Sequence, residues 1–345
     1  MTDISPKERL ARVLDRETAD RPPVICPGGM MNAAVVDVMK KGGHTLPEAH
    51  HDDRMMASLA EDVNEFTGFE NYGLPFCMTV EAEVLGSAIN FGTLGCEPKI
   101  REERYASAGS VERLNIRTAL ESGRVGTVTR AVHYLAGKHG DIPVIGNLTG
   151  PVSTAASIVE PMTFLKGLIK DRDNSARLLD YVTDFLIAYG CALIESGASF
   201  ISIADPTATG EIMGPASFKK YAVPCLNRLV GALNEAGARV IVHICGDIRT
   251  VRQYIPEIRS QAISTDAVVN LKKLKDDYPQ LVTMGNVSTY ALEFQTPENI
   301  VEQTGRLVRE SVDIVAPACG LSTSSPIENI RAMTKTVKES RVLTS

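Results

Sequence analysis

Residues 239–247 read RVIVHICGD, and this stretch decides the fold. Four apolar, mostly β-branched residues run into His243 and Cys245, and Gly246 ends the run. A short apolar run closed by glycine reads as a buried strand that stops at the edge of a core. Side chains at i and i+2 on a strand share a face. His243 and Cys245 therefore present two metal-competent atoms to one place at the strand's end.

Working outward, the same punctuation recurs. Apolar runs that end in a polar or small residue lie at PPVIC (22–26), NYGLPF (71–76), PVIGNLTG (143–150), FISIADPT (200–207), VIVHICG (240–246), AISTDA (262–267), LVTMGNV (281–287) and IVAPACG (314–320), eight in all. Amphipathic stretches with helical spacing separate several of them: residues 175–197 and 219–237, each ending at a glycine, and residues 297–312, with Thr296 at the N-cap and Pro297 at the first helical position. Strands alternating with helices at this spacing predict parallel βαβ units, and eight of them predict one closed (β/α)8 barrel spanning 1–345 as a single domain. No G-x-G-x-x-G follows an early strand, which disfavours a doubly wound dinucleotide-binding sheet. Residues 5–16 predict a helix ahead of the first strand. The stretch 77–142, including EAEVLGSAI and Val111–His139, predicts a helical insertion over the barrel mouth.

The chain has 345 residues, 44% hydrophobic and 23% charged, with a net charge of −6. An acidic balance argues against nucleic acid or an anionic membrane as the main partner. MTDISPKERLARVL holds no apolar signal core, and no stretch reaches the length of a membrane span, so the expected compartment is the cytoplasm. Seven cysteines, an odd number, without an export signal do not suggest a disulfide framework. Most are expected to be small core residues.

Barrel chemistry collects at the C-terminal ends of strands. There the sequence places Asn147, Asp205, His243 with Cys245, Asp266, Asn286 and Cys319. Residues on opposite strands of a barrel can converge near its axis, so Cys319, in PACG, can complete a His/Cys/Cys set with His243 and Cys245. Three ligands with two thiolates favour Zn²⁺, and a free fourth position marks a catalytic ion; a structural zinc would bring four ligands. His44, His50 and His51 read as a solvated loop or helix start, His133 as a packing residue, and Cys26 and Cys77 as small apolar groups. Glu81 and Glu83 read as surface charges of a helix or as acids pointing down into the site.

HICGD and PACGL together resemble the uroporphyrinogen decarboxylase superfamily, and within it the corrinoid-dependent methyltransferases, which include the methylcobamide:coenzyme M methyltransferases. SPKERLARVLDRETADRPPV (5–24), LPEAHHDDRMMASLAEDV (46–63), LPFCMTVEAEVLGS (74–87), GNLTGPVSTAASI (146–158) and DPTATGEIMGPASFKKYAVP (205–224) extend the likeness along essentially the whole chain. The resemblance implies a zinc enzyme that moves a methyl group from a methylcobamide, a corrinoid carried by a partner protein, to a zinc-activated small-molecule acceptor, a thiol such as coenzyme M. His243, Cys245 and Cys319 would hold the metal. Asp266, water, Glu81 or Glu83 would fill the fourth position before the acceptor arrives, and Asp205 would orient substrate or a metal-ligating group. Asn147 and Asn286 would hydrogen-bond an anionic tail or the corrin edge. Tetrahydrofolate as acceptor, a metal-free porphyrinogen decarboxylase and a non-catalytic binder of corrinoid protein are the alternatives, and the superfamily allows a monomer or a homodimer.

Overall fold

In the computed structural model, which describes residues 4–340, Tyr72–Leu74 (β1) is followed by a small hairpin of Ala88–Asn90 (β2) and Lys99–Glu102 (β3). Then come Val144–Thr149 (β4), Phe200–Ala204 (β5), Arg239–Ile244 (β6), Ala262–Thr265 (β7), Thr283–Val287 (β8) and Ile314–Pro317 (β9). The strands other than the hairpin form one parallel sheet in the order β1-β4-β5-β6-β7-β8-β9. Every residue of β4, β5, β7, β8 and β9 is buried. Both faces are therefore covered, as a sheet ringed by crossover helices requires. The expected barrel architecture is present.

Its first run departs from expectation. Residues 22–26 form no full strand; a single parallel bridge joins Val24 to Val315 on β9. Pro22 and Pro23 have no N–H to give a ladder. Side chains substitute for the ladder on the other side. Val24 N donates to the Glu70 carboxylate at 3.0 Å, while Glu70 N donates to Val24 O at 2.9 Å. The Asn71 amide takes both backbone groups of Cys26, each at 2.9 Å. The Glu70 carboxylate is itself held by Arg9 and Arg21. The ring thus closes through residues 22–26 by a bridge and two polar side chains.

The N-terminal helix runs Pro6–Leu14, with the Ser5 hydroxyl accepting from Glu8 N. The helices expected in 175–197 and 219–237 run Arg172–Glu195 and Val223–Glu235, the latter entered through a π-turn at Phe218–Ala222. Thr296 stands at the N-cap of Pro297–Arg309, but its side chain caps no backbone N–H. The insertion is smaller and less helical than expected. Val125–Lys138 is the ordinary crossover helix between β1 and β4, packed on both. EAEVLGSAI starts in the helix Val80–Val84, turns at Gly86, where φ is +102°, and ends in β2. The hairpin loop bridges the mouth. Phe91 lies 4.9 Å from the Arg124 guanidinium, and the Gly95 carbonyl accepts from Thr323, beyond β9, at 3.0 Å.

Candidate metal centre

β6 carries His243 into the barrel's end, fully buried, and Cys245 follows one residue past the strand. Gly246, at φ +68°, then turns the chain away. Cys319 stands beyond β9, followed by Gly320, where a Cβ would meet the Met30 carbonyl at 2.8 Å. Although β7 and β8 separate their strands, the Cys245 and Cys319 sulfurs are 3.5 Å apart. The ligand atoms of His243, Cys245 and Cys319 all lie within 4.8 Å of one another, and no other such trio occurs among the described residues. His243 Nδ1 lies 3.0 Å from Ser264 Oγ, whereas Nε2 is buried without a hydrogen-bond partner. Hydrogen bonding between the thiols, with burial, pushes Cys245 up, while the bond from Cys245 holds Cys319 down. A buried imidazole with one nitrogen unpartnered, close to two sulfurs, is a donor set for a soft divalent ion.

Asp266, beyond β7, has Oδ2 3.8 Å from Cys245 Sγ. Its loop is pinned by Asn286, whose amide donates to Asp266 O at 2.9 Å and Val269 O at 2.8 Å. The remaining residues singled out in the sequence lie in the same end of the barrel but are engaged with the protein. Asp205 is fully buried and accepts from Val152 N, Ser153 N and Ser153 Oγ at 3.0, 2.8 and 2.6 Å, at the start of the helix Pro151–Ile158. Burial raises its pKa against those bonds. Asn147 donates to the Pro27 carbonyl. Glu81 is 1% exposed and accepts from Thr149 N at 2.7 Å and Thr149 Oγ1 at 3.0 Å. Burial pushes its carboxyl up to about 7 in spite of those bonds. Glu83 pairs with Arg124 at 2.6 Å.

That last pair belongs to a cluster the sequence reading missed. Arg124 is 3% exposed and also donates to Cys77 Sγ at 3.2 Å and Thr79 Oγ1 at 2.8 Å. Burial alone would raise the Cys77 thiol, but the Arg124 guanidinium and the neighbouring His50 outweigh it and bring the thiol down to about 5. Cys77 is thus no apolar filler. His50 is fully buried, with neither ring nitrogen in a hydrogen bond of normal geometry, contrary to the solvated histidine expected. His133, expected to pack, is exposed. In the sequence Arg124 is a lone arginine before a helix, and nothing in its spacing ties it to Cys77.

Fold and site together define a parallel α/β barrel with a thiol-rich, metal-competent centre at the C-terminal ends of its strands. The chain belongs to the Uroporphyrinogen decarboxylase (URO-D) family, which it matches over residues 5–340. It is 33% identical to the methylcobamide:CoM methyltransferase MtbA of Methanosarcina acetivorans, covering 98% of this chain and 99% of that one. It is 30% identical to the methylcobamide:CoM methyltransferase MtaA of Methanosarcina barkeri, covering 96% and 97%. A solved methyltransferase from Methanosarcina mazei superposes with a TM-score of 0.91 at 29% identity, over 97% of this chain and 99% of that one.

Proposed function

We propose that this chain is a methyltransferase that moves a methyl group from a methylcobamide, presented by a corrinoid protein in the cytoplasm, to the thiol of coenzyme M at a zinc ion held by His243, Cys245 and Cys319. The observation that carries the reading is the convergence of three ligand atoms within 4.8 Å from strands that are not neighbours, with His243 Nε2 left unpartnered. The full-length likeness to two methylcobamide:CoM methyltransferases supports the donor and the acceptor class.

The donor set fits zinc: one imidazole and two thiolates would hold the ion and leave a fourth ligand to the substrate. Zinc bound there supplies a Lewis acid that keeps an incoming thiol deprotonated at neutral pH, where a free thiol is mostly protonated. The protein's own groups do the rest. The two cysteines, bound as thiolates, would balance the ion's charge and so keep an acceptor sulfur electron-rich and nucleophilic. Asp266 is the carboxylate beside the cysteine pair, its Oδ2 3.8 Å from Cys245 Sγ; it would be the protein group to stand at the ion before the acceptor and to take the thiol's proton as the acceptor binds. Glu81 and Glu83 are the weaker candidates for that task, since Thr149 and Arg124 already engage them. Asn286 fixes the Asp266 loop, Asp205 the loop that follows β4, and Asn147 the turn at residues 27–29.

The test is methyl transfer from free methylcobalamin to coenzyme M, followed by loss of the methyl–cobalt absorbance. Turnover that disappears on chelation and returns with zinc is expected. Zinc-replete protein that leaves methylcobalamin intact with coenzyme M, yet methylates another thiol or tetrahydrofolate, would move the acceptor. No transfer to any of these would end the reading.

A further inference from the structure

We infer that Ser264 is a positioning residue that sets the tautomer of His243, with Met31 orienting the serine hydroxyl. The inference rests on the zinc reading above and deepens it. His243 and Ser264 are register partners on β6 and β7, so their side chains leave the sheet on the same face. Ser264 Oγ stands 3.0 Å from His243 Nδ1, and both residues are fully buried. A serine hydroxyl can donate or accept, so the pair alone leaves two tautomers open. The third member decides. The Ser264 hydroxyl is placed to donate to Met31 Sδ at 4.0 Å, and a thioether can only accept. Met31 in turn is tethered by the Cys26 thiol, which donates to its carbonyl at 2.8 Å. With the hydroxyl proton directed at sulfur, the oxygen lone pairs face Nδ1 and accept its proton. Nε2, the nitrogen without a hydrogen-bond partner, is then bare, on a residue that places a ring nitrogen within 4.8 Å of both cysteine sulfurs. An imidazole must offer a bare nitrogen to a metal, so this relay arranges the ligand before any ion arrives.

The experiment combines spectroscopy of the metal-free protein with zinc affinity. In protein labelled with ¹⁵N-histidine, the long-range proton–nitrogen spectrum above pH 8 is expected to show His243 protonated on Nδ1 and bare on Nε2. Ser264→Ala is expected to lose that preference and to bind zinc roughly 10–100-fold more weakly, as removal of a ligand's supporting hydrogen bond usually does. Ser264→Thr, which keeps the hydroxyl, restores most of the affinity, and Met31→Leu, which keeps the volume but loses the acceptor, gives a smaller loss. A proton on Nε2 in the unaltered protein would overturn the inference, and so would wild-type zinc affinity in Ser264→Ala. If Ser264→Ala does not fold, the unaltered protein's spectrum still decides. Failure of the unaltered protein to bind zinc would sink the functional reading instead, and the spectrum separates the two.

Discussion

Two cysteine-and-histidine clusters sit at the same end of this barrel, and they are built for opposite ends. At one, Cys245 and Cys319 meet at 3.5 Å beside a His243 whose Nε2 has no hydrogen-bond partner. At the other, Cys77 lies beside His50, but the Arg124 guanidinium reaches the sulfur at 3.2 Å and is shared with Glu83 and Thr79. A thiolate already neutralised by arginine has little left to offer a metal. Two thiols held in contact beside an imidazole can instead give up their protons to a cation that binds there. Residue type is the same in both places; what differs is whether the fold brings a positive side chain or leaves room for a positive ion. The arginine cluster also has a mechanical place, since Phe91 of the hairpin loop rests on Arg124 and packs edge-on against His51 at 4.4 Å.

This contrast can be broken by experiment. The largest effect is expected from Cys245→Ala. Zinc content falls from about one per chain to a small fraction, and methyl transfer drops by roughly three orders of magnitude or more, because two remaining ligands do not hold a catalytic ion. Elemental analysis and turnover check it, and the protein should stay folded. Arg124→Met is expected to do the reverse. Removing the cation leaves the Cys77 thiolate and Glu83 without their partner in a buried place, which destabilises by about 3–5 kcal/mol in denaturant unfolding. Zinc per folded chain is unchanged. Zinc lost together with stability in this variant would show that the two clusters are one site.

A finer probe is Glu81, which ties the short helix Val80–Val84 to the end of β4. Its carboxyl has an ordinary value of 4.5 and a folded value of about 7. Below the ordinary value both states are protonated. Between the two values the unfolded chain ionises while the folded one stays neutral, so this contribution to stability is lost as pH rises from 4.5 through 7. The loss is on the order of 3 kcal/mol. Glu81→Gln should remove that part of the slope. Cys77 works in the opposite sense: its depressed thiol contributes stability above its unfolded value that is lost as pH falls through about 5. The difference between the two proteins' pH–stability curves isolates Glu81. Parallel curves would mean that the carboxyl stays ionised.

Much of the barrel was legible because its signals are local. Apolar runs that end in a polar or small residue mark β4 to β9, and i, i+2 geometry at the end of β6 puts His243 and Cys245 together before any fold is known. Cys319 was reachable because barrel strand ends converge. What stayed hidden depends on contacts between residues remote in sequence. The single-bridge first strand follows from Glu70 and Asn71 taking over the ladder of Val24 and Cys26, and no period in the sequence announces a side chain acting as backbone. The insertion was overread because the apolar residues of 80–90 fit a helix until Gly86 turns the chain. Cys77 and His50 were read as ordinary because their meaning comes from Arg124, which arrives from another helix's start. Ser264 was passed over because a serine inside an apolar run carries no signal until its strand register is known.

The account turns on whether an acceptor thiol joins the three protein ligands on one ion. X-ray absorption at the zinc edge, on native protein before and after addition of coenzyme M, tests this directly. The predicted result is two sulfur ligands at about 2.3 Å with nitrogen and oxygen before addition, and three sulfurs after it. An unchanged shell on addition, or an ion bound without sulfur, would contradict the account.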